Sequence, residues 1–489
     1  MGGGPMLRLT KVHLGLGGSP PVEHLTVSLA ELLGQFRGCF ARPESFVVFQ
    51  PVVVAWVLCL RCRTLTEVWQ LTGLGPKMHY DAIYSLFASA KWDWDEVGVL
   101  LCLLLFAHLV PFGLISIAVD DTLCHKRGQK VAFGGIFLDP VLSTRSRKIL
   151  RFGLNYVVVA VVVHLPFRPD RYFALPVLWR VFRKKGQDGH CKRTELAAGL
   201  VRHLALAIPC RSFCLLADSA YINATVLADL PDNVVVIGPL PKKAALYLPA
   251  MPKVQGQRGA PRKKGLRLPT PGQLLEKPRL LEELASKHAE EFALVSSVNA
   301  QGWAARQEEV TLPRVKKLLR VQTLRGVLWY HACKQKPVTV TLIHDPQEEK
   351  AGKWRDEALV STKVATTAAA MIAEYGKRWS VEVAFYDSKQ FLGLEDPEVR
   401  APLSVQRAHP MAWFCLSLVI LWYALNREQA EKVNRERPWY KKTVGDTFTE
   451  MLGAMRLWLW HQRLFGEAGG RAVSAEMVEN LLNEMAAVG

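Results

Sequence analysis

With 489 residues, half of them hydrophobic, the chain can bury a large core and hold two to four domains. Its 62 Lys and Arg against 44 Asp and Glu leave a formal charge of +18 and point to a polyanionic partner. The basic residues are spread over several segments instead of lining one amphipathic helix, so nucleic acid suits them better than a membrane surface.

The first residues, Met1-Gly-Gly-Gly-Pro, show no charged region followed by an apolar stretch, so secretion is not expected. Residues 1–95 read as a helical N-terminal region. Two helices, Thr64–Gly73 and Met78–Ser89, flank the turn Gly73-Leu-Gly-Pro76, an arrangement compatible with a DNA-reading helix-turn-helix that offers Lys77, His79 and Tyr80. Helix pairs joined by glycine also occur in plain bundles. Cys59 and Cys62 have zinc-ligand spacing, but no second pair follows, and Cys210 and Cys214 sit in or beside an apolar run. The ten cysteines read as reduced, mostly buried residues.

Val99 to Val119 is long enough to suggest a membrane span, yet His108 and the Pro111-Phe-Gly113 break divide it into a helix, a turn and a buried strand. That strand, near 114–120, ends in Asp120-Asp121-Thr122. Further strands are expected at 131–137 and 155–164, the latter rich in β-branched residues and too short to span as a helix. A helix from Thr194 to Ala207 follows, then Phe213–Ala217 delivering Asp218, a short helix after Tyr221, and a strand at 233–237. Residues 96–238 therefore predict an α/β unit.

The interval 239–363 is too long for a loop and predicts an inserted subdomain. Its first part, with Arg262, Lys263 and Lys264, is basic and rich in Pro and Gly, and reads as an arm that tracks phosphates. Its later part, 320–333 and 338–344, alternates apolar and polar residues and predicts a β-hairpin or small sheet. The segment 364–425 holds two helices. In the first, Tyr375 and Lys389 lie seven positions either side of Glu382 and Arg378 lies four before it, so one helical stripe carries all four. A carboxylate between two cations and a phenol suits a divalent metal beside a phosphodiester, although mixed-charge faces are often only solvated. Together with the two strand-end aspartates, Glu382 completes a minimal cage for hard metal ions. The second helix, Met411–Leu425, predicts a core element, and residues 426–489, with Trp439, Trp458 and Trp460, a helical region able to mediate dimerisation.

The spacing Tyr375-x2-Arg378-x3-Glu382-x6-Lys389 resembles the signature of the DDE transposases of bacterial insertion sequences. Gln390-Phe-Leu-Gly393, the strand Ala358–Thr362 and the segment Asp120-Asp121-Thr122 with Lys126-Arg-Gly128 extend the resemblance over about residues 60–465. Leu123-Cys124-His125 and Lys363 depart from the pattern. The resemblance implies an RNase H-like catalytic domain with a long, partly β insertion, flanked by helical regions. It implies that Asp120, Asp218 and Glu382 hold two Mg²⁺ ions, replaceable by Mn²⁺, about 4 Å apart. Asp121 points to the opposite face from Asp120, and the family pattern favours Asp120 as ligand. Tyr375, Arg378, Lys389, Lys126 and the basic arm would contact DNA, and Trp303 and Trp329 are candidates for stacking on an extruded base, with a place in the core as the stronger reading of each.

The expected activity is cleavage of transposon ends and strand transfer into target DNA, performed by a homodimer on double-stranded DNA in the bacterial cytoplasm, at the nucleoid when bound to DNA. Three other readings stay open: an RNase H-like nuclease that never joins, an inactive DNA-binding derivative, and a membrane protein.

Overall fold

The computed structural model describes residues 27–144, 146–253, 255, 258–312, 315–344, 356–430 and 445–466. Trp439 and the outer parts of the two expected terminal regions lie outside them. Ten strands form one sheet: β1 (Ile115–His125), β2 (Gly135–Leu138), β3 (Leu150–His164), β4 (Tyr172–Val181), β5 (Phe213–Ala217), β6 (Val234–Pro239), β7 (Arg306–Leu312), β8 (Val315–Val327), β9 (Val338–His344) and β10 (Glu357–Ser361). Their order is β2-β3-β1-β5-β6-β10-β9-β8-β7, with β4 also paired to β3.

The centre of this sheet follows from its sequence. Leu154 to Val163 are all buried, because helices cover both faces of β3, and a strand shielded on both sides can be apolar at every position. β3 pairs antiparallel with β1 and β4, whereas β1, β5 and β6 run parallel. The helix Arg193–Ala207 crosses from β4 to β5 on one face, and the helix Ser380–Leu392 lies on the other. Helix Trp94–Leu109 approaches β4 so closely that a Cβ on Gly98 would stand 2.1 Å from the carbonyl oxygen of Val177.

Three expectations are corrected. The run 131–137 contributes only the four-residue β2 at the margin, and the third core strand is β4, which carries Pro176 in its middle. The register of β3 and β4 shifts between Val159 and Ala160, opposite Pro176, so the missing N–H falls at a bulge. Second, the strands β7–β10 do not stand apart as a small sheet: β10 pairs with β6 and continues the main one. Third, the stripe from Tyr375 to Lys389 is not one regular helix. Ala368–Gly376 passes through a 3₁₀ turn at Lys377–Trp379 before Ser380–Leu392 begins.

Near the N-terminus, Leu65–Gln70 and Asp81–Ala88 are helices whose apolar sides (Leu65, Val68, Ile83, Leu86 and Phe87) join the core, leaving Lys77, His79 and Tyr80 exposed. The segment Pro402–Leu425 is apolar and long enough to cross a membrane, but 89% of its most apolar 18-residue stretch is buried inside the protein. It serves as a core element, with Trp422 packed 5.6 Å from Trp458 of the helix Phe448–Gly466.

Candidate active site

The two aspartates meet because of register. β1 and β5 run parallel up to the pair Val119↔Ala217, and the next residues are Asp120 and Asp218. There β5 ends, while β1 continues beside β3 to His125. Asp120 therefore stands in mid-strand, not at a strand end, at the point where its neighbour strand stops. Pleating sends Asp120 and Asp121 to opposite faces.

On the first face, the guanidinium of Arg378 donates to Asp120 Oδ2 at 3.1 Å and to Glu382 Oε1 at 2.9 Å. The Asp121 amide donates to Asp120 Oδ1 at 2.8 Å. Burial pushes the Asp120 carboxyl up to about 7; the Asp121 amide and Arg378 oppose this, and Asp218 adds to it. Tyr375 is likewise raised by burial, with Arg378 working the other way. Burial works against the charge on Arg378, but Tyr375, Asp120 and Glu382 outweigh it and its pKa rises. Deeper on this face, Ser116 Oγ donates to Glu374 at 2.8 Å, and Lys377 bonds to both. This pair neutralises itself beneath the carboxylates.

On the second face Asp121 is fully engaged. It accepts from Asn155 and Arg193 at 2.8 Å each and from the Tyr221 hydroxyl at 2.7 Å. Asp218 shapes the turn after β5, where Oδ1 accepts from the Ala220 amide at 2.9 Å and its carbonyl from the amides of Tyr221 and Ile222. Asp121 thus pins that turn, a role that spacing in the sequence does not signal because Tyr221 and Arg193 lie far along the chain.

The other expected contacts divide. Lys389 donates to the Leu123 carbonyl at 2.5 Å and lies 3.4 Å from Glu395, so it anchors its helix along β1. Lys126 is held by the carbonyls of Glu395 and Pro397. Both ammonium groups face protein carbonyls. Arg262, Lys263 and Lys264 are exposed, and Lys264 sits 4.4 Å over the Tyr247 ring. Trp329 is only 4% exposed and offers no face for a base; Trp303 packs edge-on against Phe292 at 5.0 Å.

The donor set is chemically right for a hard divalent cation, since Asp120, Asp218 and Glu382 offer only carboxylate oxygens. They do not converge into a ready cage: among the described residues no three His, Cys, Asp or Glu side chains are close enough to share one ion. Arg378 holds the position between Asp120 and Glu382, so a metal would have to displace its bonds.

A family model described as DDE superfamily endonuclease matches residues 35–334, a span that includes both aspartates and stops short of Glu382. A comparison with curated proteins finds no match.

Proposed function

The chain belongs to the DDE superfamily endonucleases, and we propose that within this family it is a transposase that cuts the ends of a mobile element and joins them to target DNA. The observation that carries this reading is the link Asp120–Arg378–Glu382, with Asp218 just past the end of the neighbouring parallel strand. The strand order β4-β3-β1-β5-β6 supports an RNase H-like core, with the first aspartate on its first strand and the second after its fourth.

In this mechanism Asp120, Asp218 and Glu382 would hold the Mg²⁺ or Mn²⁺ ions. Bound divalent metal supplies Lewis-acid activation of the attacking oxygen and charge neutralisation at the leaving one. Arg378 has two tasks. It balances Asp120 and Glu382 before substrate arrives, and once released it pairs with a phosphate oxygen, for which its fork geometry is suited. Tyr375, next to Arg378, hydrogen-bonds another backbone oxygen. Lys389 keeps the Glu382 helix in register with β1, and the exposed Arg262, Lys263 and Lys264 track duplex phosphates at a distance. Water attacks first, and the freed 3′-hydroxyl then attacks the target strand, with no covalent protein intermediate. Two protomers, one per end, would form the synaptic complex.

The test is incubation of the purified protein with a labelled duplex carrying the element's own ends and Mg²⁺, comparing wild type with Glu382→Gln. Cleavage and joining by the wild type alone support the transposase. Cleavage of free ends without joining of pre-cut ends would leave only a nuclease, and binding without cleavage would remove the catalytic claim.

A further inference from the structure

Between Lys126 and Arg151 the sequence holds seven basic residues and a single acid, Asp139, and that acid is turned inward at 2% exposure. Asp139 builds the turn between β2 and β3. Its Oδ1 accepts from the amides of Val141 and Leu142 at 3.0 and 3.1 Å, and its Oδ2 lies 2.7 Å from His125 Nε2. The turn closes through the Thr144 amide, which donates to the Arg147 carbonyl at 2.8 Å. The outcome is a fixed hairpin that holds Val141 in water at 85% exposure and Leu142 at 44%. Arg147, Lys148 and Arg151 are exposed on the returning side.

Apolar side chains fixed in water beside cations, with no exposed acid, match one partner chemistry. The cations neutralise phosphates, and short apolar residues insert along a groove beside the bases. A second copy of the chain adding a strand at β2 is disfavoured, because that edge is occupied: Lys184 Nζ donates to the Ile136 carbonyl at 2.9 Å, and Gln187 reaches the Gly134 carbonyl at 3.5 Å.

Position supports the same partner. Asp120 pairs with Val158 and Leu138 with Leu150, so the hairpin begins eight residues along β3 from the catalytic row. At about 3.3 Å per residue that is about 26 Å, or about eight base pairs of duplex. The base of the hairpin is also tied to the catalytic helix, since His125 Nδ1 lies 3.3 Å from Glu395, which in turn contacts Lys389.

We propose that the β2–β3 hairpin is a second contact for duplex DNA, about eight base pairs from the bond being cut. Arg147, Lys148 and Arg151 hold the backbone, and Val141 and Leu142 wedge the groove. This rests on the DNA-cutting reading above.

The test uses the full chain and a fluorescein-labelled duplex of about four helical turns, titrated by anisotropy over a salt series. The wild type is compared with the triple variant Arg147→Ala/Lys148→Ala/Arg151→Ala and with Val141→Ser/Leu142→Ser. All five positions are exposed, and matched melting curves show that the variants fold. The triple variant is expected to lower the log–log salt slope by about two to three and to weaken binding about 10-fold or more. The double variant keeps the slope and binds several-fold more weakly. A wild-type slope in the triple variant overturns the hairpin contact while leaving the DNA-cutting reading intact. No duplex binding by the wild type overturns both. If the double variant changes the sedimentation coefficient and not the DNA affinity, the surface belongs to a second copy and the proposal falls.

Discussion

The hydroxyl of Tyr221 donates to Oδ1 of Asp121 at 2.7 Å, tying the turn that follows Asp218 to the strand that carries Asp120. One residue thus sets the distance between the two aspartates without facing them. Tyr221 is 1% exposed, so Tyr221→Phe leaves the half-buried Asp121 carboxylate one donor short. It should cost about 1 kcal/mol of stability and slow cleavage about 10-fold, by letting Asp218 drift. Melting curves and single-turnover rates measure the two effects, and a rate equal to wild type would show that Tyr221 does not position Asp218.

Arg378 competes with metal for Asp120 and Glu382. In Arg378→Ala, Mg²⁺ should raise the melting temperature by more than it does in the wild type, because no guanidinium has to be displaced, while cleavage falls about 100-fold for want of a phosphate partner. Arg378→Lys should recover only part of that activity, since an ammonium lacks the planar fork that pairs with two phosphate oxygens at once. Equal Mg²⁺ stabilisation of wild type and Arg378→Ala would disprove the competition.

Because burial raises the Asp120 carboxyl to about 7, metal-dependent cleavage should rise with pH through about 7 and be lost below it. Stability moves the other way. The unfolded carboxyl, at 3.8, loses its proton before the folded one, so the stability gained from the folded proton is complete below about pH 4 and lost as pH rises through about 7. Asp120→Asn should therefore remove cleavage, flatten the decline in melting temperature across that window, and melt above the wild type at pH 8. A wild-type slope in the variant would show that another group titrates.

On β6, a Cβ at Gly238 would lie 2.4 Å from Ile222 Cγ1 and 2.9 Å from the Ala217 carbonyl oxygen. Those neighbours bracket the Asp218 turn. Gly238→Ala should cost about 2 kcal/mol and reduce cleavage more than duplex binding, as kcat and Kd measured on one preparation would reveal. A loss confined to Kd would place the damage elsewhere.

The sequence shows some of this directly. Phe213–Ala217 is a short apolar run with an acid behind it, and the helix Met411–Leu425 has the bounds that its composition predicts. β4 is not legible in this way, because Pro176 interrupts a strand pattern unless the bulge at Val159/Ala160 and the edge position of β4 are known. Nor can spacing reveal that Lys389 and Lys126 face backbone carbonyls, since those partners, Leu123 and the Glu395–Pro397 segment, are fixed by the tertiary path. A helical stripe shows which residues share a face and says nothing of what lies opposite. The same holds for Asp121, whose partners Asn155, Arg193 and Tyr221 come from three separate elements.

The placement of β10 between β6 and β9 also sets an order of events. Asp120 and Asp218 can come together from residues 115–239, a compact run of neighbouring strands. Glu382 comes after β10 in the chain, and β10 pairs with β6 across an interval of more than a hundred residues, a closure slowed because loop entropy must be overcome before any pairing rewards it. A chain truncated before β10 would hold Asp120 and Asp218 without Glu382, so the proposed third ligand arrives last, behind the inserted strands.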